Sequence, residues 1–169
     1  MGSVGKILPQ GGDFRITFRA DGIVWQDFEI GESIAVNGVC LTAIKLHEDG
    51  FDADVSGETM RVSAFKDLAE NTPVNLEPSL AIGERIGGHF VSGHVDCIGQ
   101  IVSRKKDARS IAFEVDLPEK YARYIAAKGS VCIDGVSLTV NGVHNTVFTV
   151  NVIPHTADAT VIGYYSVGD

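Results

Sequence analysis

The stretch GESIAVNGVCLTAI, at Gly31–Ile44, reveals the architecture of the protein, because the chain repeats it as GSVCIDGVSLTV at Gly129–Val140. Gly38 recurs as Gly135, 97 residues later, and the register continues without a gap. The other pairs at this offset include Asn37 and Asp134, Cys40 and Ser137, Leu41 and Leu138, Thr42 and Thr139, Phe51 and Phe148, and Thr59 and Thr156. A unit of about 97 residues therefore occurs twice in the chain.

Each unit carries the pattern of short β-strands. Apolar and polar residues alternate in SIAVNGVCLTAI and again in VFTVNVI, and Val, Ile, Phe and Thr are frequent in both. The Asn-Gly and Asp-Gly pairs that begin at Asn37, Asp134 and Asn141 are strong signals of turns or bulges. Because closure removes exposed strand edges, the sequence predicts an all-β protein with a small closed barrel in each half.

Helical segments are expected to be few and short. One helix is predicted to begin at Pro118, continue through Tyr121 and Ile125, and end at Gly129. A shorter helical turn is predicted at Ser63–Leu68, and the repeat places its partner near Thr160–Tyr165.

The segment EPSLAIGERIGG, at Glu77–Gly88, is predicted to link the two halves. We therefore divide the chain into an N-terminal barrel at residues 1–86 and a C-terminal barrel at residues 87–169.

The repeat also predicts that each barrel is incomplete at one end of the chain. The second unit opens with GHFVSGHVDCIGQI, and only its tail, at Ile98–Ile101, has a partner in the first unit, at Val4–Ile7. The first unit is therefore expected to start about one strand late. The chain stops at Asp169, opposite Thr72, so the second unit is expected to lack its last strand. Barrels that are naturally open are the alternative.

Composition and charge limit the possible functions. The 169 residues are 44% hydrophobic and 21% charged, as in globular proteins. No run approaches the roughly 18 apolar residues that span a bilayer, and the N-terminus lacks the apolar segment of a signal peptide. A net charge of −8 argues against nucleic acid as a partner. Three cysteines, without a secretory signal, favour free thiols in a reducing compartment, which predicts a cytoplasmic location.

Small polar side chains share one face of the strand that follows each repeated glycine turn. Cys40 and Thr42 are opposite Leu41 in the first unit. Ser137 and Thr139 share the corresponding face in the second. Because charged or long side chains are more usual on a solvated face, the pattern favours a ligand on this face in both halves. Plain surface alternation is the alternative.

A few ionisable residues could add acid–base chemistry. Asp134 precedes Ser137 by three residues, so its carboxylate could polarise that hydroxyl or accept a proton; turn formation is the alternative, and the one we favour for Asn37. His155 follows a strand within VIPHT, as VSGET follows one in the first unit, and the backbone groups there are expected to be free for a ligand. Lys128 is a helix C-terminal cation or a contact for a polar ligand tail.

The stretch GGHFVSGHVDC contains His89, His94, Asp96 and Cys97. This spacing fits no common zinc pattern, so we predict no metal site. A structural hydrogen bond is the expected role of His89. His94 shares a strand face with Asp96 and is expected near a ligand.

Four motifs in order, GESIAVNGVCLTA, GGHFVSGHVD, KGSVCIDGVSLTVNGV and IPHT, resemble the riboflavin synthase family of the alpha-subunit type. The resemblance covers essentially the whole chain. It implies two tandem six-stranded Greek-key β-barrels, a C-terminal helix and a homotrimer. The family's opening MFTGI strand, its closing strand and its trimer-forming helix have no counterpart in this sequence, which leaves a monomer open as well.

The resemblance implies the last step of riboflavin biosynthesis, a dismutation without a metal or redox cofactor. Two molecules of 6,7-dimethyl-8-ribityllumazine exchange a four-carbon unit and give riboflavin and 5-amino-6-(D-ribitylamino)uracil. The active site is expected between the N-terminal barrel of one subunit and the C-terminal barrel of its neighbour. Orientation of two flat rings and proton transfer would supply the catalysis. The absent segments predict weak ligand binding and slow turnover.

The resemblance also implies roles for individual residues. Proton handling is assigned to Cys40, His94, Asp134, Ser137 and Thr139. Substrate contacts in the first barrel are assigned to Ser33, Cys40, Leu41, Thr42, Asp54, Val55, Ser56, Gly57, Glu58 and Thr59. The remaining substrate contacts are assigned to Gly93, His94, Val95, Asp96, Lys128, Ser137, Leu138, Thr139, Ile153, Pro154, His155 and Thr156.

Other functions remain open. A non-catalytic, antenna-type lumazine- or flavin-binding protein shares this expected fold, but the intact GVCLT and GVSLT motifs in both halves favour the enzyme. A flavin-dependent oxidoreductase would require a nucleotide domain with a glycine-rich βαβ loop, and the sequence has none. A structural barrel without a ligand is the last alternative.

Overall fold

The computed structural model describes all residues, Met1 to Asp169, as two antiparallel β-sheets. The first sheet contains β1 (Gly2–Gln10), β2 (Asp13–Arg19), β3 (Ser33–Val36), β4 (Val39–His47), β5 (Gly50–Val55), β6 (Pro73–Val74) and β7 (Leu76–Pro78). The second contains β8 (Gln100–Asp107), β9 (Ser110–Asp116), β10 (Ser130–Ile133), β11 (Val136–His144) and β12 (Val147–Val152). The predicted all-β class with two tandem halves is confirmed.

Short helical elements connect the strands. They are α1 (Gly57–Val62), α2 (Glu119–Ala122), α3 (Pro154–Ala159) and three 3₁₀ turns at Trp25–Asp27, Ala64–Asp67 and Val161–Tyr164. The last two turns confirm the helical turns predicted at Ser63–Leu68 and Thr160–Tyr165. None of these helices has the length and apolar character needed to cross a membrane.

The helix predicted to begin at Pro118 and end at Gly129 is shorter than expected, because α2 ends at Ala122. Beyond it the amide of Ile125 donates to the carbonyl of Ala122, which is the spacing of a tight turn. Lys128 has a φ of 67°, in the left-handed region that a continuous α-helix excludes. The prediction was therefore wrong about the length of this helix.

The first sheet curves into a near-complete barrel. Its strand order is β6-β1-β2-β5-β4-β3-β7, and β6 and β7 are consecutive segments on either side of Asn75. Because β6 pairs with β1 while β7 pairs with β3, this one segment joins the two edges of the sheet. The pairing of β1 with β6 is short and involves only Gly2 and Ser3 of β1.

The second sheet has five strands, in the order β10-β11-β12-β9-β8. Residues 88–99, which the repeat suggested as a strand opening the second unit, form none, and β8 begins only at Gln100. Gly88 and Gly93 have φ values of 81° and 79°, which break an extended course. The C-terminal residues cover part of β8, because the amide of Ile101 donates to the carbonyl of Asp169 at 2.8 Å.

The repeat is visible in the backbone geometry. Asn37 and Asp134 have nearly equal positive φ values, 44° and 45°. The register shift that follows Ala43 in the first sheet recurs after Val140 in the second, at the same 97-residue offset. Corresponding turns and bulges thus shape the two strands, β4 and β11, that carry the repeated motif.

Candidate functional site

A cleft of about 1090 Å³ lies between the two barrels, and residues of both barrels line it. The first barrel contributes Ser33 and Cys40, which we call the first half-site, and the second contributes Ser137 and His155, the second half-site. Much of the remaining lining comes from residues 79–99, the connector between the barrels. The chain therefore brings the repeated polar motifs of both halves to one cleft.

The strand faces agree with the predicted alternation. Cys40 and Thr42 are exposed on β4, while Leu41 between them is buried in the first core. On β11, Thr139 is exposed and Ser137 is half-buried, while Leu138 belongs to the second core. The polar side chains thus point away from both cores.

The two repeated turns meet at the base of the cleft. A β-carbon on Gly38 would lie 2.7 Å from the amide nitrogen of Gly135, and one on Gly135 would lie 3.0 Å from that of Gly38. Both glycines also have positive φ values. Only glycine allows this close approach, which places the strands carrying Cys40 and Ser137 on adjacent walls.

The connector touches both half-sites. The Nδ1 atom of His89 lies 2.7 Å from the hydroxyl of Ser137. Four residues further, the carbonyl of Gly93 accepts a hydrogen bond from the amide of Cys40 at 2.8 Å. The structural hydrogen bond expected of His89 is present, but its partner is a proposed catalytic hydroxyl. The sequence spacing carried no signal of this, because His89 and Ser137 lie 48 residues apart.

Asp134 is directed away from the cleft. Its carboxylate accepts a hydrogen bond from the hydroxyl of Tyr165, and no hydrogen bond joins it to Ser137. Burial raises the pKa of Asp134 above its usual value, and the hydrogen bond from Tyr165 opposes only part of that rise. Burial also raises the pKa of Tyr165. The pair is a buried polar contact within the second barrel.

The segments that follow β5 and β12, at the corresponding places in the two halves, differ in their hydrogen bonds. In the first, Ser56 caps α1 by accepting from the amide of Thr59 at 3.0 Å, and the amide of Gly57 donates to Asp13 at 3.0 Å. These amides are not free for a ligand, contrary to the sequence-based expectation. In the second, α3 begins with Pro154, which has no amide hydrogen, and Ile153 makes no capping bond.

The predicted site residues divide into two groups. Those that line the cleft are Ser33, Cys40, Gly93, Ser137 and His155. Those outside its lining are Leu41, Thr42, Asp54, Val55, Ser56, Gly57, Glu58, Thr59, His94, Val95, Asp96, Lys128, Asp134, Leu138, Thr139, Ile153, Pro154 and Thr156. Among this second group, Asp54 pairs with Arg15 at 2.9 Å and Glu58 pairs with Arg61 on the surface. No three His, Cys, Asp or Glu side chains lie close enough together to hold a metal ion.

Comparison with known proteins finds similarity over the whole chain. A family model described as the lumazine binding domain matches residues 1–79 and residues 92–169. The riboflavin synthase of Photobacterium phosphoreum is 38% identical over 169 residues, which cover all of this chain and 78% of the relative. The riboflavin synthase of Mycobacterium tuberculosis is 43% identical over 158 residues, which cover 91% of this chain and 78% of the relative. The riboflavin synthase of Bacillus subtilis is 34% identical over 167 residues, which cover 99% of this chain and 77% of the relative.

Solved structures share the fold. The crystal structure of LumP complexed with riboflavin superposes with a TM-score of 0.90 at 19% sequence identity, covering 99% of this chain and 91% of that chain. LumP complexed with 6,7-dimethyl-8-(1'-D-ribityl) lumazine gives a TM-score of 0.88 at 18% identity, with the same coverage. At this identity the likeness establishes the fold alone.

Proposed function

Because this chain belongs to the lumazine-binding domain family, we propose that it is a riboflavin synthase, converting two 6,7-dimethyl-8-ribityllumazine molecules into riboflavin and 5-amino-6-(D-ribitylamino)uracil. The observation that carries this proposal is the pair of repeated half-sites. Cys40 and Ser137 occupy equivalent positions in the repeat, and both line one cleft. The riboflavin synthases at 34–43% identity support the same reaction.

The reaction needs two flat heterocycles in a fixed relation. A four-carbon unit leaves one lumazine and joins the other, so the rate depends on how well the two rings are aligned. Holding two reactants in a reactive geometry can lower a barrier by about 7–11 kcal/mol. A repeat that presents matching polar side chains from two barrels suits this task, and the riboflavin synthase resemblance implies that the two barrels of a reacting pair belong to neighbouring subunits.

Proton transfer accompanies the carbon transfer, and we assign it first to residues at the cleft. The hydroxyl of Ser137 can donate or accept a proton, and His89 orients it through the 2.7 Å contact at Nδ1. The thiol of Cys40 takes the corresponding place in the first half-site. Of the remaining predicted residues, His94 and Thr139 are exposed outside the cleft lining, and Asp134 acts through the turn that precedes Ser137.

Product stoichiometry tests the proposal without depending on rate. The purified chain is incubated with the lumazine, and riboflavin, the pyrimidine product and residual substrate are separated by chromatography. We expect one riboflavin and one pyrimidine for every two lumazines consumed. The matched control is the Cys40→Ala/Ser137→Ala double variant, which should form both products at least about a hundredfold more slowly than the wild type. Tight binding of lumazine with no riboflavin would overturn the proposal in favour of an antenna-type protein.

We further propose a homotrimer in the cytoplasm. The riboflavin synthase resemblance implies the trimer, and three free cysteines suit a reducing compartment. Light scattering coupled to gel filtration is expected to give three times the 18.0 kDa mass of one chain. A mass of 18.0 kDa would contradict the trimer.

A further inference from the structure

The two repeated turns are held by different kinds of hydrogen-bond donor. In the first barrel, the side-chain oxygen of Asn37 accepts from the backbone amide of Asn75 at 2.7 Å. In the second, the carboxylate of Asp134, the residue equivalent to Asn37, accepts from the hydroxyl of Tyr165. The contact in the first barrel contains no group that titrates, whereas both groups of the second contact are ionisable side chains.

The turn at Asp134 lies at an open edge of its sheet. β10 is the edge strand and pairs only with β11, whereas the equivalent strand of the first barrel, β3, pairs with β7 on its other side. Asp134 and Gly135 have φ values of 45° and 83°, so they form a tight two-residue connection. This turn accepts two hydrogen bonds from outside the β10–β11 hairpin, from Asn75 and from Tyr165. Tyr165 is therefore the residue that joins the turn to the rest of its own barrel.

Tyr165 belongs to a well-packed part of the second barrel. It follows the 3₁₀ turn at Val161–Tyr164, and its side chain packs against the second core. Its amide donates to the carbonyl of Ile162, a buried residue of that core, at 3.3 Å. The hydroxyl therefore reaches Asp134 from a fixed position.

The turn precedes the polar motif of the second half-site. Ser137 follows Asp134 by three residues and pairs with Cys132 across the hairpin. The hydroxyl of Ser137 lies 2.7 Å from Nδ1 of His89. A shift of the turn would therefore move Ser137 relative to His89 and to a ligand on the second barrel. This consequence is confined to the second barrel, so it is the same whichever subunit supplies the opposing first half-site.

We propose that Tyr165 is a positioning residue for the second half-site, holding the turn at Asp134 through its carboxylate and thereby fixing the hydroxyl of Ser137. The catalytic consequence rests on the proposed function. A carboxylate in this place needs a donor, because a buried charged group without a hydrogen bond is costly. Phenylalanine would fill the same space but supply no donor.

No cation competes with Tyr165 for this carboxylate. The other titratable groups that face the pair are Cys132 and Asp169, and Glu77 lies close to Cys132. All of these are acids. The hydroxyl of Tyr165 is therefore the group that lowers the pKa of Asp134 against the rise caused by burial.

The kinetic test uses Tyr165→Phe, which removes the hydroxyl and keeps the ring. We expect kcat to fall about tenfold, because misplaced reacting groups slow a reaction, while riboflavin affinity from fluorescence titration stays within about twofold. The matched control is Tyr164→Phe, which removes an exposed hydroxyl that makes no hydrogen bond and should leave both values within about twofold.

A double-mutant cycle separates positioning from packing. In an Asp134→Ala background, Tyr165→Phe should cause no further loss of kcat, because the partner of the hydroxyl is already absent. Unchanged kcat in Tyr165→Phe alone, or an equal loss in both backgrounds, would overturn the inference.

A second measurement does not depend on activity. The carboxyl ¹³C resonance of Asp134 reports its pKa, which should rise in Tyr165→Phe and stay at the wild-type value in Tyr164→Phe. The backbone amide resonances of Gly135 and Ser137 should shift in Tyr165→Phe only. An unchanged pKa with unmoved amide resonances would overturn the inference. If the wild type forms no riboflavin, the proposed function fails, and this titration still decides whether Tyr165 holds the turn.

Discussion

The two barrels come from one repeated sequence unit, yet they differ in how completely they are built. The first has a core of 15 buried residues and a sheet joined at its edges by β6 and β7, whereas the second has a core of nine and an open five-stranded sheet. Trp25 lies in the first core, and its indole nitrogen donates to the carbonyl of Ala20 at 3.1 Å. The repeat places Ala122 at the corresponding position of the second barrel. Both barrels thus carry the same polar motif, although the hydrophobic cores on which the motif strands pack differ in size.

The largest effect is expected from truncating the equivalent core phenylalanines, Phe51 and Phe148. Both are fully buried, so Phe→Ala should cost about 3–5 kcal/mol in each barrel. Phe51 also packs against Phe18 and Trp25, with ring centroids 5.4 and 5.5 Å away, and such pairs add about 0.5–1.5 kcal/mol each. We therefore expect Phe51→Ala to destabilise its barrel more than Phe148→Ala destabilises the second.

Urea unfolding followed by amide resonances of each barrel measures both free energies in one sample. The single tryptophan, Trp25, gives an independent fluorescence signal for the first barrel. Equal losses in the two variants, or a greater loss for Phe148→Ala, would show that the first core gains nothing from its aromatic cluster.

A smaller effect is expected at the half-sites, where side chains differ but positions match. Ser137→Ala removes the hydroxyl that His89 contacts, so we expect kcat to fall by about a hundredfold, the low end for general acid–base catalysis. Cys40→Ser gives the first half-site the hydroxyl of the second and should keep turnover within a few-fold. Steady-state kinetics at several pH values measures kcat for both variants and separates the roles of Ser137 and Cys40. A larger loss for Cys40→Ser than for Ser137→Ala would reverse our assignment of the proton-handling half-site.

The smallest effect concerns the pH dependence of stability. As the pH falls, the titration of Asp52 should destabilise the first barrel, whereas that of Asp134 should stabilise the second. Burial alone would raise the pKa of Asp52 in the first barrel, but hydrogen bonds from Thr17 and His47 outweigh burial and hold it below 3.8. Asp52 thus stabilises the first barrel above its unfolded pKa, and that stability is lost as the pH falls through the lower folded pKa. Burial raises the pKa of Asp134, so the second barrel loses stability as the pH rises from 3.8 toward the folded value.

Barrel-resolved urea titrations between about pH 3 and pH 6 test this contrast, since carboxyl groups titrate in that range. Asp52→Asn should flatten the response of the first barrel, and Asp134→Asn that of the second. Parallel loss of stability in both barrels on acidification, unchanged by either substitution, would contradict the assignment.

The sequence predicted those features that depend on local alternation and on the repeat. Cys40 and Thr42 face outward because Leu41 between them enters the core, and the period of two reveals this without tertiary information. The turns at Asn37 and Asp134 follow from residues that tolerate a positive φ. These local rules hold in both halves, which is why the fold class was predictable.

Features that depend on contacts between the halves were not predictable. Asn75 occurs in PVNLEP with no motif around it, and its hydrogen bond to the carbonyl of Asp134 forms only because the two halves lie against each other. The link between His89 and Ser137 depends in the same way on the course of the connector. The helix expected to end at Gly129 was wrong in length because its apolar pattern does not reveal the left-handed residue at Lys128.

The most direct test of the account is the isotope pattern of riboflavin made from equal parts of unlabelled lumazine and lumazine labelled with ¹³C in its four-carbon unit. If two substrate molecules react with each other, each riboflavin receives one such unit from each of them. Mass spectrometry should then show unlabelled, singly labelled and doubly labelled riboflavin in one-to-two-to-one proportion. Riboflavin without a doubly labelled form, or no riboflavin from the wild-type chain, would contradict the claim that this chain joins the four-carbon units of two lumazine molecules.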